Sequence, residues 1–307
     1  MEVRNVDKQI LRLNGIYPPV PTPFDGDGKV APRKLTGNID HWNRFALRGY
    51  VVLGTNGEFV LLTEQEKLHV LETARMAIPS DKLMIAGTGC ESTGETIRLT
   101  RKAAEIGADA ALIINPSYYK ARMTPEALIH HFRTVADASP IPTVIYNMPA
   151  CTGIDLTAET ITQLAEHPNI IGLKDSSGNV IKLGQIHLLV GPSFQVLAGS
   201  ASFLLPALSI GAAGGILALA NIAPTQCLAI YQHFLEGDWN KAREVQVRII
   251  PANTAVTRSW GVPALKTAMD MLGFYGGPVR SPLLPLSDDL KEELQAALLK
   301  GGILEAS

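Results

Sequence analysis

Charge is scarce in this sequence and cysteine scarcer still. Charged residues fill 18% of the 307 positions, against roughly 25% in an average soluble chain. Lysine plus arginine (27) nearly balances aspartate plus glutamate (29), leaving a net charge of −2. That balance excludes a basic nucleic-acid footprint and an acidic tail. The three cysteines, Cys90, Cys151 and Cys227, lie far apart, which excludes a disulfide framework and a cysteine-based metal site. Each is expected to be buried. Nor is there an unbroken membrane-spanning run. Leu204 to Ala223 is long enough and uncharged, but Pro206, Ser209, Gly211, Gly214, Gly215 and Asn221 interrupt it, and it lacks basic flanks and an aromatic belt. Met1 to Leu13 carries Glu2, Arg4, Asp7, Lys8 and Arg12 and has no apolar signal core, so the chain reads as cytoplasmic. The shortage of charge is local: Leu183 to Leu235 contains no Asp, Glu, Lys or Arg.

What is present is a repeating alternation. An apolar, β-branched run ends in small or polar residues, and an amphipathic stretch follows. The runs fall in "GIYPPVPTPF" (15–24), "RGYVVLGTNGE" (48–58), "KLMIAGTGCES" (82–92), "ADAALIINPSYY" (108–119), "IPTVIYNMP" (141–149), "NIIGLKDSSG" (169–178), "FQVLAGSAS" (194–202) and "AAGGILALAN" (212–221). Thr63 with Glu66 forms a capping box, and Thr124 with Pro125 an N-cap followed by a first-turn proline; both mark helix starts. Strand-like runs alternating with helices predict a parallel sheet, and eight units predict closure into a (β/α)8 barrel. The alternative, an open doubly wound sheet, is weakened by the absence of GxGxxG after the first run. The barrel is expected over residues 1–237. Residues 238–307 are expected to form a helical extension packed on it.

Barrel enzymes work at the C-terminal ends of their strands. The polar residues there are Thr55, Asn56 and Glu58 after the second run, Ser117, Tyr118 and Tyr119 after the fourth, and Tyr146 and Asn147 in the fifth. The sixth supplies Lys174, Asp175, Ser176 and Ser177, the seventh Gly199 and Ser200, and the eighth Asn221. Lys174 follows directly from an apolar run. Buried there, it either pairs with Asp175 or Glu58, or serves as an amine nucleophile towards a ketone. Tyr146, one strand earlier, is either a proton relay to the same site or a satisfied core aromatic. Thr55 and Asn56 sit in a glycine-flanked turn that suits a carboxylate. His130 and His131 are adjacent in a helix and do not share a face, so they suggest no metal site.

"GTNGE" (54–58), "YNMPACTG" (146–153), "GLKDSS" (172–177), "LAGSAS" (197–202) and "GGILALAN" (214–221) occur in an order and spacing that resembles the class I Schiff-base aldolase family of dihydrodipicolinate synthase and N-acetylneuraminate lyase. "AGTGCEST", "ALIHHF" and "FQVLAGSA" resemble most the 4-hydroxy-2-oxoglutarate aldolase branch. The resemblance implies that Lys174 forms an imine with pyruvate and that Tyr146 moves the proton. Thr55 and Asn56 would hold the pyruvoyl carboxylate, and Ser176, Gly199 and Ile216 would line the site. Tyr118 would reach the neighbouring subunit's site in a dimer of dimers. Neither cofactor nor metal is implied, and the partners are a 2-oxo acid and an aldehyde. Two departures stand out. Asn56 replaces the family's usual threonine, and its amide still donates to a carboxylate. Cys151 replaces the arginine by which the synthases bind the aldehyde's carboxylate, a contact a thiol cannot make; Arg122 is a possible substitute. The expected reaction is therefore cleavage of 4-hydroxy-2-oxoglutarate to pyruvate and glyoxylate. The alternatives are condensation of pyruvate with aspartate semialdehyde, a 2-oxo-3-deoxy sugar-acid lyase or dehydratase, and a non-catalytic 2-oxo-acid sensor. The uncharged helices "FLLPALSIG" and "TQCLAIYQHFL" are expected to face a second subunit.

Overall fold

The computed structural model describes residues 11–305, so most of the Met1–Leu13 segment discussed above lies outside the described residues. Eight strands appear, one inside each predicted run: β1 (Gly15–Tyr17), β2 (Gly49–Val52), β3 (Leu83–Gly87), β4 (Ala110–Ile114), β5 (Thr143–Asn147), β6 (Ile170–Asp175), β7 (Gln195–Ala198) and β8 (Gly214–Ile216). They form one parallel sheet in the order β1-β8-β7-β6-β5-β4-β3-β2. Its ends meet where Pro19 bridges Val51, with Val20 N–H donating to Val51 O at 2.8 Å. Prolines at 18, 19, 21 and 23 lack N–H donors, which keeps β1 short and leaves the closure to these few bonds.

Helices follow the strands in turn: α1 (Pro32–Trp42), α2 (Glu64–Ala77), α3 (Thr93–Ile106), α4 (Pro125–Ala138), the short α5 (Pro149–Thr152), α6 (Ala158–Ala165), α7 (Val180–Leu189), α8 (Leu204–Ser209) and α9 (Pro224–Leu235). Local chemistry sets where they start. Thr63 and Glu66 cap each other reciprocally, and the side chains of Thr124, Thr157 and Asn179 accept first-turn amides of α4, α6 and α7. The period-2 alternation of the strands then sorts side chains into two cores. Val51, Ile85, Leu112, Val144, Tyr146, Leu197 and Ile216 point inward and fill the barrel. Val52, Ile113, Ile145, Leu173 and Val196 point outward against the helices.

The chain continues as α10 (Trp239–Arg248), α11 (Ile250–Thr254), α12 (Gly261–Met271) and α13 (Asp288–Lys300). Helix α10 corrects the reading of the uncharged helices. It lies on α8 and α9: Gln246 accepts from Leu205 N–H and donates to Ala201 O, each at 2.8 Å, and Trp239 meets Phe234 edge to face. Leu204, Leu205, Leu208, Cys227 and Ile230 are buried within the one chain. The second surface these helices face is thus the protein's own extension. A charge-free helix face reports that it is covered, without reporting by what. No described helix is long and apolar enough to cross a membrane.

Farther along, the extension is fastened to the barrel by Arg280, which grips Glu66 with both nitrogens (2.7 and 2.8 Å) and donates to Leu61 O and Gly28 O. The Arg280 bond, foremost, and the Thr63 amide hold the Glu66 carboxyl down to about 2, against a usual 4.5. A carboxyl whose pKa falls on folding stabilises the fold above its unfolded pKa. That contribution fades as pH drops through 4.5 towards about 2. Urea unfolding should therefore show the native chain losing about 1 kcal/mol more stability than Glu66→Gln between about pH 5 and about pH 3. Parallel losses would show that this clasp does not contribute.

Candidate active site

The catalytic-end geometry follows from strand register. Tyr146 pairs with Lys174 across β5 and β6, and Lys174 pairs with Leu197 across β6 and β7. All three face the barrel interior. Lys174 is 3% exposed, and its Nζ stands 3.9 Å from the centre of the Tyr146 ring. The Tyr146 hydroxyl is 3.1 Å from Thr55 Oγ1. One chain of contacts thus links the amine, the phenol and the hydroxyl of the turn after β2.

Lys174 pairs with neither acid considered for it. Asp175, wholly buried, accepts an ion pair from Lys182 at 3.0 Å, and Lys182 also meets Asp155 at 2.5 Å. Asn147 ties the same carboxylates together, donating to Asp155 and Asp175 at 2.7 Å each. Glu58 is engaged by Lys266 at 2.5 Å, both side chains 1% exposed. Among the described residues no acid lies within ion-pairing distance of Lys174. A buried amine without a counter-ion is free to act as a nucleophile.

Lys182 and Lys266 escaped the sequence reading. Lys182 left a signal, since it occupies the first turn of α7, where a cation opposes the helix dipole. Lys266, in the middle of α12, left none.

The turn after β2 is a single 3-10 turn over Thr55–Gly57, bracketed by Leu53 and Glu58 at φ 64° and 53°. These are the only non-glycine residues in the left-handed region among those described, at a cost of about 1–3 kcal/mol each. The Gly57 and Glu58 amides bond within the turn; those of Thr55 and Asn56, at its N-terminus, have no acceptor inside it. Asn56 Nδ2 and Ser176 Oγ are buried without a partner. Unpaired donors in a buried site are costly unless a ligand satisfies them, and a carboxylate accepts from several at once.

Gly199 makes room for Ser176: a Cβ there would lie 2.1 Å from Ser176 Oγ and 2.5 Å from Asp175 O. Ile216 is fully buried at the end of β8. A small cavity lined by Leu53, Gly54, Gly89, Leu112, Ile114 and Tyr146 opens between the turn and Tyr146. A larger, open cleft lined by Arg101, Glu105, Ala138 and Pro140 lies at the opposite end of the barrel, away from this chemistry.

Other predicted residues lie elsewhere. Tyr118 and Tyr119 are 80% and 71% exposed and pack edge to face on each other at 5.2 Å, so neither joins the Lys174 cluster within this chain. The Glu91 carboxylate fixes their loop by accepting from Ser117 N–H and Tyr118 N–H at 2.9 Å. Asn221 is a structural residue. It lies beyond β8, fully buried, its side-chain amide donating to Pro19 O and Ala218 O and its backbone carbonyl accepting from Trp42 Nε1. Ser200 caps the next turn and accepts from Asn253. Of the cysteines only Cys227 is buried; Cys90 is half-buried, and Cys151 is exposed because α5 carries it across the barrel mouth. Crowding around the Cys151 thiol nevertheless raises its pKa, and the ammonium form of Lys174 opposes that shift.

Residues 12–300 match the model of the dihydrodipicolinate synthetase family. The chain belongs to that family. A 4-hydroxy-tetrahydrodipicolinate synthase of Methanothrix thermoacetophila is 38% identical over 289 residues, covering 94% of this chain and 97% of the relative. An uncharacterized lyase of Halobacterium salinarum is 37% identical, covering 96% of each. Among solved structures, dihydrodipicolinate synthase from Aquifex aeolicus superposes with a TM-score of 0.90 at 33% identity, covering 95% of this chain and all of that one. A prophage protein of the same family from E. coli K12, solved in complex with pyruvate, gives 0.89 at 31% identity, covering 95% and 99%. The chain is accordingly a lyase with the (β/α)8 barrel of the dihydrodipicolinate synthetase family. These relatives are named as synthases, a lyase or a family member, so the narrower expectation of a 4-hydroxy-2-oxoglutarate aldolase gains no support from them.

Gly199→Ala tests how tightly the ends of β6 and β7 are fixed around Ser176. The added methyl meets backbone as well as the hydroxyl, so urea unfolding should show a loss of about 1–3 kcal/mol. An unchanged midpoint would mean the strand ends yield at no cost.

Proposed function

We propose that the protein is a pyruvate-dependent lyase in which Lys174 forms the covalent intermediate. The observation that carries this reading is the buried, counter-ion-free Lys174 beside Tyr146 and Thr55. The pyruvate carboxylate is received by Thr55 and Asn56, with the unpaired Asn56 amide and Ser176 hydroxyl as donors, and Gly199 and Ile216 shape the wall. Lys174 Nζ attacks the ketone carbon, and the carbinolamine loses water to give a protonated imine. That imine is the electron sink: loss of a proton from the methyl group gives an enamine, the nucleophile towards an aldehyde. Tyr146 and Thr55 carry the proton between the imine, the methyl carbon and the aldehyde-derived oxygen. The barrel of residues 1–237 holds this chemistry, and residues 238–307 brace it. Tyr118 extends outward to a second subunit's site in a dimer of dimers, and the enzyme works in the cytoplasm.

For the aldehyde, the relatives' names favour aspartate semialdehyde, making the reaction 4-hydroxy-tetrahydrodipicolinate synthesis. One residue favours a second reading. Cys151 stands at the mouth and supplies no fixed cation for the aldehyde's carboxylate, which suits cleavage of 4-hydroxy-2-oxoglutarate to pyruvate and glyoxylate.

Parallel assays separate the two. Condensation of pyruvate with aspartate semialdehyde at a kcat/KM at least tenfold above that with glyoxylate supports the synthase; the reverse order supports the aldolase. Turnover of neither, with saturable pyruvate binding and no borohydride-trapped adduct, would leave a sensor and contradict the proposal; an adduct without turnover of either would point to the 2-oxo-3-deoxy sugar-acid reading. In either assay Tyr146→Phe should lower kcat by about 10²–10⁴-fold and change pyruvate affinity little. A loss confined to KM would remove the proton-transfer role.

A further inference from the structure

The turn that carries Thr55 and Asn56 is held from outside the barrel. It begins and ends on left-handed, non-glycine residues, Leu53 and Glu58, a conformation the local sequence does not favour. Its far end is fastened at three points. Thr22 Oγ1 donates to Gly57 O at 2.7 Å. Glu58 Oε2 accepts from Arg280 N–H at 2.8 Å, and Glu58 Oε1 meets Lys266 Nζ at 2.5 Å. Lys266 is in turn fixed by donating to Pro278 O at 2.8 Å and by lying over the Phe24 ring at 4.4 Å. Two of the three fastenings come from the C-terminal extension, and the ion pair is fully buried. A surface clasp joining extension to barrel already exists in Arg280 and Glu66. A second, buried pair aimed at the last residue of the turn is not needed merely to dock the extension.

We propose that the Glu58–Lys266 pair is a positioning device for substrate binding: it holds the Thr55–Gly57 turn in the strained shape that aims Thr55 and Asn56 at the 2-oxo acid's carboxylate. Glu58 and Lys266 touch neither substrate nor reacting atoms, and act through the turn. The inference rests on the pyruvate-imine reading above.

The test is borohydride trapping at graded pyruvate concentrations, with the adduct quantified by intact mass. Glu58→Gln keeps the shape and loses the charge. Thr22→Val loosens the same turn from its other side without touching the ion pair, and remains informative if Glu58→Gln fails to fold. The pyruvate concentration giving half-maximal adduct should rise about tenfold in Glu58→Gln and about threefold in Thr22→Val, with the saturating adduct yield unchanged, because misaimed donors weaken binding while the amine stays intact. A merely structural pair would leave the half-maximal concentration of each folded variant unmoved. That result, in a wild-type protein that forms the adduct, overturns the positioning role alone. A wild type that forms no adduct overturns the imine reading, and this inference with it.

Discussion

Two buried ion pairs decide what this barrel can do. Asp175 with Lys182 and Glu58 with Lys266 engage the two acids that the sequence offers as partners for Lys174, and Lys174 pairs with neither. Breaking either pair by removing one partner would leave a buried charge uncompensated, at a cost of roughly 3–5 kcal/mol. The pairings are therefore hard to exchange, and Lys174 is held apart by the stability of its neighbours' contacts. Each pair also fixes a piece of the site. Asp175 follows Lys174 directly, and through Asn147, which follows Tyr146, it ties the ends of β5 and β6 together. Glu58 ends the turn that carries Thr55 and Asn56.

This arrangement divides labour between rigid scaffold and reactive group. Strand register places Tyr146 beside Lys174, and the inner core of Val144, Leu197 and Ile216 packs around them. The Asn56 amide and the Ser176 hydroxyl are left unpaired; on the proposed reading the pyruvate carboxylate would satisfy both. The C-terminal helices contribute at a distance: α10 covers the charge-poor wall of α8 and α9, while α12 and Arg280 reach the β2 turn.

Much of this was legible in the sequence. Apolar runs alternating with capped amphipathic stretches gave away all eight strands, because both periodicities are local. Lys174 stood out as a cation at the end of a buried run, and Thr55–Asn56 as polar residues between glycines. The partners of Glu58 and Asp175 were hidden. Lys266 lies far along the chain from Glu58, and a pairing made across a fold leaves no periodic trace. For the same reason the uncharged faces of α8 and α9 announced a cover but not that α10 supplies it. Asn221 was misplaced because β8 stops at Ile216 and the chain turns outward before reaching it.

The central claim is that one amine, Lys174, forms the covalent link to substrate. It is tested most directly by incubating the protein with saturating pyruvate and borohydride, then mapping the adduct by peptide mass spectrometry. The account predicts a single reduced pyruvoyl adduct on the peptide bearing Lys174, absent in Lys174→Arg, whose guanidinium stays protonated. An adduct on Lys182 or Lys266, or none at all, would contradict it.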